Sequence, residues 1–215
     1  MHDISLNNED IMARQRELAR KNEDKFQEYD ITAFNVMGAI GSGKTALIKK
    51  MAAALMEDGY NVGAVAGDVA SNDDYEKFLE ADIPAFNLNT NADCHLDAHL
   101  VGHSLDALPL SELDILFVEN VGNLVCPADF PLGTSQDIVV ISVTEGEDMV
   151  RKHPKIFSQS DIVVINKIDL ADAIEVDPEV PREDYRKVNP NGNVVFSNAK
   201  EGKGIKELID LLVLD

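Results

Sequence analysis

Residues 38–45 read GAIGSGKT and match the spacing G-x-x-x-x-G-K-[ST]. In such a loop the glycines let backbone N–H groups turn toward a phosphate, and the N-terminus of the following helix adds partial positive charge. A lysine at position 44 can reach the β- and γ-phosphates, and the hydroxyl of Thr45 can bind Mg²⁺. The loop predicts a nucleoside triphosphate site, and a glycine turn that binds nothing is the alternative. The residues expected to contact the nucleotide here are Gly38, Gly41, Ser42, Gly43, Lys44 and Thr45.

A second segment, Asn166-Lys167-Ile168-Asp169, indicates which base is bound. The carboxylate of Asp169 can accept hydrogen bonds from guanine N1–H and the 2-amino group, a pair of donors that adenine lacks. An adenine nucleotide would leave this carboxylate unpaired, at a cost of about 1–3 kcal/mol or more. We expect Asn166 to support the loop and the stem of Lys167 to cover the base.

A third segment, Ser197-Asn198-Ala199-Lys200, is similar to the S-A-K loop whose backbone N–H contacts guanine O6. Asn198 interrupts the usual spelling, so Ala199 and Lys200 carry this assignment. The three segments occur in the order that is typical of guanine-nucleotide-binding proteins, and together they predict GTP and GDP as ligands.

Acidic residues at the ends of predicted strands could position Mg²⁺ and a water molecule. Glu119 is the best candidate, because a carboxylate that ends the apolar run 115–118 is hard to explain as surface charge. Asp68 and Asp74 follow another strand and could also be surface acids, whereas the backbone N–H of Gly122 could donate to the γ-phosphate. No glutamine or arginine finger is evident, so we expect slow hydrolysis. The predicted catalytic set is Lys44, Asp68, Asp74, Glu119 and Gly122, with Thr45 and Glu119 as Mg²⁺ ligands.

Potential ligands for another metal are concentrated between residues 93 and 103, where the chain has Cys94, His95, His99 and His103. On one helix the three histidines would lie on roughly the same face, with the cysteine at the helix start, where a thiolate is favoured. Cys126 could approach them through the fold or across a dimer. Thiolate and imidazole ligands suit Zn²⁺, Ni²⁺ or copper. A surface histidine face with two buried cysteines is the alternative.

The order of apolar runs predicts how these segments are positioned. The runs 31–37, 62–66, 83–88, 114–119, 138–144, 161–166 and 193–196 are expected to be strands, with helices between most of them. Such alternation predicts an α/β fold with a mainly parallel sheet and helices on both faces. We expect residues 1–29 to be a helical extension, with the helix over 8–28, and residues 30–215 to be one P-loop GTPase domain. Residues 172–191 are expected to hold a short helix.

Composition limits the possible partners. The chain has 215 residues and a formal charge of −20, which opposes binding to nucleic acid or to an anionic membrane. Metal cations or basic protein surfaces fit better, and an acid excess that only keeps the surface solvated is the alternative. No segment resembles a signal peptide or a membrane span, which predicts a cytoplasmic protein, and a disulfide is disfavoured there.

Four segments resemble the nickel-incorporation GTPases of the HypB family. They read GDVAS at 67–71, CHLDAH at 94–99, ENVGNLVCPADF at 119–130 and TEGED at 144–148. The resemblance implies a P-loop GTPase of the SIMIBI type that dimerises with GTP and helps to deliver Ni²⁺ to the large-subunit precursor of [NiFe]-hydrogenase, together with a nickel-binding accessory chaperone. It also implies an interface metal site of Cys94, His95 and Cys126, with His99 as a further ligand and Asp74 near Mg²⁺.

The chain departs from the family pattern at several positions. The cysteine-rich N-terminal nickel motif of some members is absent, so nickel handling is expected to depend on the internal site. Asn91-Ala92 stand where the family often has Gly-Lys, residues 74–78 read DYEKF instead of D-A-E-R-I, and Pro131 replaces an acid. These changes affect the switch segments and partner contacts rather than the nucleotide chemistry.

The leading hypothesis is a GTPase whose nucleotide-dependent homodimer gates a shared metal site. Ligand types do not separate Ni²⁺ from Zn²⁺ at this site. One alternative is a dimerisation module with a structural zinc and incidental GTP turnover. Another is a related nickel GTPase that serves urease, which the segment 119–130 argues against.

Overall fold

The computed structural model describes residues 2–90 and 93–214, without the side chains of residues 2–9 and 11, and within these ranges seven strands form one sheet. The strands are β1 (Thr32–Gly38), β2 (Val62–Asp68), β3 (Ala85–Asn89), β4 (Ile115–Glu119), β5 (Gln136–Ser142), β6 (Ile162–Asn166) and β7 (Asn193–Phe196). The α-helices are α1 (His2–Glu28), α2 (Lys44–Glu57), α3 (Asp73–Leu79), α4 (Ala98–Ala107), α5 (Met149–Lys152), α6 (Pro154–Gln159), α7 (Glu179–Val188) and α8 (Ile205–Ile209). Short 3₁₀ helices cover Leu110–Glu112, Cys126–Asp129, Val143–Glu145, Ile168–Leu170 and Asp172–Ile174.

The strands pair in parallel, in the order β3-β2-β4-β1-β5-β6-β7. This confirms the predicted α/β fold. Connections run outward from the central β1 to both sides, so a crevice opens at the carboxyl ends of β1 and its neighbours. The register pairs Val36 of β1 with Glu119 of β4, and Gly38 with Val140 of β5. The ends of three strands therefore meet where the GAIGSGKT loop begins.

The seven strands predicted from apolar runs are all present in the described residues, β7 with the predicted bounds and the other six with one or both ends shifted. β5 ends at Ser142 rather than at residue 144 because the Ser142 hydroxyl accepts a hydrogen bond from the Thr144 N–H and starts a 3₁₀ turn. β3 begins at Ala85, directly after Pro84, which has no N–H to donate to a ladder. Helix α7 lies within the segment 172–191, as predicted.

Helices cover both faces of the sheet. On one face, α2 and α3 bury Leu47 and Phe78 in a cluster that α8 also joins. On the other face, a cluster with Phe26 and Val101 joins α1 and α4, and a third cluster with Phe157 fixes α5, α6 and α7. Each large apolar side chain buried in this way contributes about 1.5–3 kcal/mol of transfer free energy.

Helix α1 begins at His2, earlier than the predicted residue 8, and packs along α4. Asn22 of α1 is buried, and its side-chain amide donates to the carbonyls of Ala98 and Leu132 at 2.8 and 3.0 Å. The C-terminal half of α1 is thus fixed to the domain, and the division at residues 29 and 30 stays a prediction. No helix in the described part of the chain combines the length and apolar character needed to span a bilayer.

Candidate nucleotide and metal sites

The GAIGSGKT loop joins the end of β1 to the first turn of α2. Gly43 caps α2 in the left-handed region, with φ 104°, and a Cβ there would clash with the side-chain amide of Asn166. A Cβ on Gly38 would clash with the Val140 carbonyl. Both positions therefore require glycine. The loop keeps its backbone close to the neighbouring strands and presents the N-terminus of α2 to the crevice.

Lys44 lies at the start of α2 with its side chain turned back over the loop. Its Nζ donates to the carbonyl oxygens of Gly38 and Ala39, at 3.2 and 3.3 Å. Burial lowers the pKa of Lys44, and the nearby Glu119 carboxylate opposes this shift. A phosphate in the loop would offer the ammonium group stronger partners than these two carbonyls.

Three oxygen atoms converge beside Lys44. The Thr45 Oγ1 lies 2.9 Å from the Asp74 Oδ1 and 2.9 Å from the Glu119 Oε1. Glu119 is only 2% exposed, and burial raises its pKa to about 7. Its Oε2 is buried and has no hydrogen-bond partner among the described residues. Hard oxygen ligands and an orphaned carboxylate oxygen fit a Mg²⁺ ion at this point.

The other two residues of the predicted catalytic set border the same crevice. The Asp68 carboxylate accepts hydrogen bonds from the Val69 N–H and the Ser71 hydroxyl. Burial opposes ionisation of Asp68, but these hydrogen bonds outweigh it, and the pKa of Asp68 is lowered. Asp68 therefore holds its own loop together. Gly122 lies against Ile40, where a Cβ would clash, so the two loops approach closely.

The predicted guanine segments are joined to the phosphate loop. The Asn166 amide donates to the Ser42 carbonyl at 2.9 Å, and its oxygen accepts from the Ala199 N–H at 3.1 Å. Lys167 Nζ donates to the Gly41 carbonyl at 2.6 Å. The Ala199 N–H thus anchors the loop, while the side chains of Asp169 and Lys200 are exposed.

A cavity of about 870 Å³ joins these elements, a volume that suits a nucleotide. The predicted residues that line it are Gly41, Gly43, Lys44, Thr45, Asp68, Asp74, Glu119, Gly122, Lys167, Ala199 and Lys200. Gly38, Ser42 and Asn166 support the cavity through hydrogen bonds without lining it, and Asp169 is not among the lining residues.

A separate group of potential metal ligands lies near this cavity. One ligand atom each from Cys94, His95 and Cys126 falls within 4.8 Å of the others, and the two sulfur atoms are 2.7 Å apart. The cysteines are free thiols. The Cys94 thiol donates a hydrogen bond to the Cys126 sulfur, and this bond raises the pKa of Cys94. Metal binding would therefore have to displace a proton from this thiol pair.

His95 is held in an orientation that suits a ligand. Its ring stacks on Phe130 with 3.7 Å between ring centroids, and its Nδ1 is buried, with no hydrogen-bond partner in the part of the chain that the structure describes. Burial lowers the pKa of His95, although Asp93 opposes the shift. The neutral imidazole, which is the form that binds metals, is therefore favoured at neutral pH.

The prediction that three histidines share one helix face is wrong for His95. Helix α4 begins at Ala98 because the Asp97 carboxylate accepts from the Leu100 N–H and caps it, so His95 precedes the helix. His99 and His103 are exposed on α4, with their rings 4.5 Å apart. His99 is not part of the described three-residue group. The expected contribution of His99 to that group is thus not supported by its position.

A buried polar chain beside these sites was not anticipated from the sequence. The Asn120 oxygen accepts from the N–H groups of Leu96 and Val121, at 3.0 Å each, and its amide donates to Asn35 at 3.2 Å. Asn35 in turn donates to Asp137 at 2.9 Å. Asn35 could have been noticed as a polar residue inside an apolar run. Asn120 directly follows Glu119, and its side chain therefore fixes the backbone next to His95 to the end of β4.

The parallel sheet, the glycine loop and the lysine that follows it define a P-loop nucleotide-binding protein. A family model described as "CobW/HypB/UreG, nucleotide-binding domain" matches residues 32–196. The chain belongs to this family, and within it to the HypB proteins.

Named relatives agree with this placement. The "Probable hydrogenase maturation factor HypB" of Methanocaldococcus jannaschii is 47% identical, over 94% of this chain and 91% of the relative. A crystal structure of HypB from Archaeoglobus fulgidus has a TM-score of 0.87 and 43% identity, and the match covers 94% of this chain and all of that one. A structure of HypB from Helicobacter pylori in complex with nickel has a TM-score of 0.88 and 29% identity, with coverage of 93% and 94%.

Proposed function

We propose that this chain is a GTPase that binds Ni²⁺ and releases it during the maturation of a [NiFe]-hydrogenase. The observation that carries the proposal is the position of Glu119 and Cys126 on one short segment. Glu119 lies beside the phosphate loop, and Cys126 lies in the Cys/His group. Relatives named hydrogenase maturation factor, and a nickel-bound relative of the same fold, support the choice of metal and recipient.

The nucleotide part of the proposal assigns GTP to the 870 Å³ cavity. Lys44 would leave the carbonyls of Gly38 and Ala39 and bind the phosphates. The exposed Asp169 carboxylate would accept hydrogen bonds from guanine, and Lys167 would cover the base. Because Asn166 joins the base loop to the phosphate loop, the two halves of the site would bind GTP as one unit.

Hydrolysis would depend on the three converging oxygens of Thr45, Asp74 and Glu119. They would hold Mg²⁺, which when bound supplies positive charge to the β- and γ-phosphates. The unpartnered Glu119 Oε2 can accept a hydrogen bond from a water molecule and orient it. Attack of this water on the γ-phosphorus breaks its bond to the β–γ bridging oxygen and yields GDP and phosphate.

The metal part of the proposal assigns Ni²⁺, or Zn²⁺ as a competitor, to Cys94, His95 and Cys126. Within the described residues this group supplies three ligands, so a second copy or an exchangeable ligand would complete the coordination. Ile40 of the phosphate loop is 85% exposed, and Val125 beside Cys126 is 59% exposed. A homodimer that forms over this face when GTP is bound would cover both apolar side chains.

In this account the γ-phosphate orders the segments that carry Asp74 and Glu119, and hydrolysis releases them. Metal affinity would change with the same step, since Asn120 fixes residues 94–96, which we call the metal loop, to the end of β4. A nickel-binding accessory chaperone would load the site or accept its ion, and the hydrogenase large-subunit precursor would receive the nickel in the cytoplasm.

A transfer assay tests this function. The nickel-loaded protein is mixed with a hydrogenase large-subunit precursor in the presence of GTP or GDP, and the nickel on the precursor is measured. We expect transfer to depend on the nucleotide and to be lost in Cys94→Ala. His99→Ala is the matched control, because His99 lies outside the three-residue group. Equal transfer with both nucleotides, or full transfer by Cys94→Ala, would contradict the proposal.

Chelation separates this role from that of a structural zinc. A transferable ion leaves an intact fold, so removing the metal should leave the thermal unfolding temperature of the chain nearly unchanged. A structural zinc contributes directly to folding. A large loss of stability on chelation, with no effect of nucleotide on transfer, would favour the structural role.

A further inference from the structure

Three asparagines join the start of α3 to the edge strand β3. The amide of Asn87 donates to the Asn72 Oδ1 at 2.6 Å, and the amide of Asn89 approaches the same oxygen at 3.4 Å. Asn72 precedes α3, whereas Asn87 and Asn89 lie on β3. We call these three residues the asparagine clamp. They occupy neither the nucleotide cavity nor the Cys/His group.

Asn72 occupies a position where its side chain would usually have a different hydrogen-bond partner. Asn72 is the N-cap residue of α3, where an asparagine side chain usually accepts a hydrogen bond from the helix backbone. Here its side chain caps no backbone N–H, and its oxygen faces β3 instead. The Ser71 hydroxyl takes part of the capping role by accepting from the Asp73 N–H at 3.3 Å. The side chain of Asn72 is therefore used to tie the helix to the strand.

The two elements joined by the clamp lead to different sites. On α3, Asp74 contacts Thr45 of the phosphate loop at 2.9 Å. At the end of β3, the Thr90 N–H donates to the Asp68 carbonyl, and the Thr90 hydroxyl donates to the carbonyl of Asp93, next to Cys94. A movement of α3 would thus shift β3, the strand that precedes the metal ligands Cys94 and His95 in the chain. Asn91 and Ala92, where the family pattern differs, lie outside the described residues.

Two oxygen atoms of the clamp could gain hydrogen-bond partners in a second arrangement of its side chains. The side-chain oxygens of Asn87 and Asn89 are buried without hydrogen-bond partners within the described part of the chain. A buried acceptor without a partner lowers the stability of the arrangement that holds it. If the amides of Asn72 and Asn87 rotated together, the Asn72 amide would donate to the Asn87 oxygen and give this acceptor a partner. Two arrangements of similar free energy are what a switch element requires.

We infer that the asparagine clamp is a positioning device that transmits the state of α3 to Cys94 and His95. When Mg²⁺ and GTP engage Asp74, the clamp shifts the end of β3 and changes the affinity of the metal loop for Ni²⁺. This inference rests on the proposed function, because it needs a nucleotide-dependent metal affinity. The clamp is a second connection to the metal loop. It reaches the loop before Cys94, through Thr90 and Asp93, whereas Asn120 holds the loop after His95.

Two variants test the clamp from its two ends. Asn72→Ser keeps a residue that can cap α3 but is too short to reach β3. Asn87→Ala removes the contact from the strand. Asn193→Ala is the matched control, since Asn193 is an exposed asparagine on β7 at the other edge of the same sheet. The dissociation constant for Ni²⁺ is measured for each full-length chain with a non-hydrolysable GTP analogue and with GDP.

The readout is the ratio of the two dissociation constants. We expect the ratio in Asn72→Ser and in Asn87→Ala to be closer to one than the wild-type ratio by a factor of roughly 2 to 30, the range found for residues that couple sites. GTP affinity should stay at the wild-type value, and the unfolding temperature should fall by no more than a few degrees, the effect of losing one hydrogen bond. All properties of Asn193→Ala should match the wild type. A wild-type ratio of one would contradict the proposed function itself. A wild-type ratio that differs from one and is unchanged in both clamp variants would overturn the inference about the clamp alone.

Discussion

The Thr45 Oγ1 lies 2.9 Å from the Glu119 Oε1, so the first turn of α2 and the end of β4 share one polar contact. Thr45 belongs to the phosphate loop, whereas Glu119 begins the segment that continues to Cys126. A cation bound between these two oxygens would sense the nucleotide on one side and fix the metal-binding segment on the other. The proposed switch depends on this contact.

Replacement of Glu119 by glutamine tests the Mg²⁺ assignment. The amide keeps the shape but removes the negative charge, so we expect Glu119→Gln to lower the rate of GTP hydrolysis on the order of 10²-fold. It should also raise the Mg²⁺ concentration needed for half-maximal rate. Asp73→Asn is the control, since Asp73 is an exposed acid that lines the same cavity. An unchanged Mg²⁺ requirement in Glu119→Gln would contradict the assignment.

Replacement of Asp169 by asparagine tests the choice of base. The new amide would place a donor against a guanine donor, so we expect the dissociation constant for GTP to rise by about 10- to 100-fold, while ATP binding changes little. Competition with a fluorescent guanine nucleotide measures both. Asp172→Asn, at an exposed acid nearby, should behave like the wild type. If both variants bind GTP equally well, Asp169 does not contact the base.

The group of Cys94, His95 and Cys126 predicts that the replacement of two nearby histidines weakens Ni²⁺ binding to different extents. His95→Ala should weaken Ni²⁺ binding by at least about 10-fold, because His95 lies with both cysteines. His99→Ala should have a small effect, because His99 is exposed on α4. Equilibrium titration with Ni²⁺ under reducing conditions measures both. A loss in His99→Ala as large as that in His95→Ala would mean that the group is incomplete without His99.

Asp137 predicts a dependence of stability on pH. Burial raises its pKa to about 6 from 3.8, although the hydrogen bond from Asn35 opposes the shift. A raised carboxyl pKa means that the folded state binds the proton more tightly, so this residue costs stability as the pH rises from about 4 through 6. At pH 8 the cost is at most about 3 kcal/mol, at 1.36 kcal/mol per unit of pKa.

Asp137→Asn removes this cost and keeps an oxygen that can accept from Asn35. We expect the variant to be more stable than the wild type at pH 8, with a difference that shrinks to near zero at pH 4. Urea unfolding at several pH values measures the difference. Comparison with the wild type at each pH removes the effect of the overall charge. A difference that does not depend on pH would contradict the assigned role of Asp137.

The sequence alone predicted the parts of the fold that depend on local residue patterns. Seven apolar runs predicted the strands, and the glycine loop predicted its own position between β1 and α2, because chain order and backbone conformation determine both. The convergence of Cys94 and Cys126 followed from a family resemblance and not from spacing. Their proximity depends on how the loops after β3 and β4 turn toward each other.

Other features depended on contacts between distant residues. The histidine face was wrong because the Asp97 cap moves the start of α4 past His95, a signal that was present in the sequence but not used. The roles of Asn120 and Asn35 could not be predicted, since each needs a partner from another strand. The asparagine clamp was missed for the same reason.

The central claim is that the nucleotide sets the metal affinity. The measurement that tests it most directly is the dissociation constant for Ni²⁺ of the wild-type chain in three states: with a non-hydrolysable GTP analogue, with GDP, and without nucleotide. The account predicts different constants in the GTP-analogue and GDP states, and a Cys126→Ser variant that binds Ni²⁺ weakly in all three. Identical constants in all three states for the wild type would contradict it.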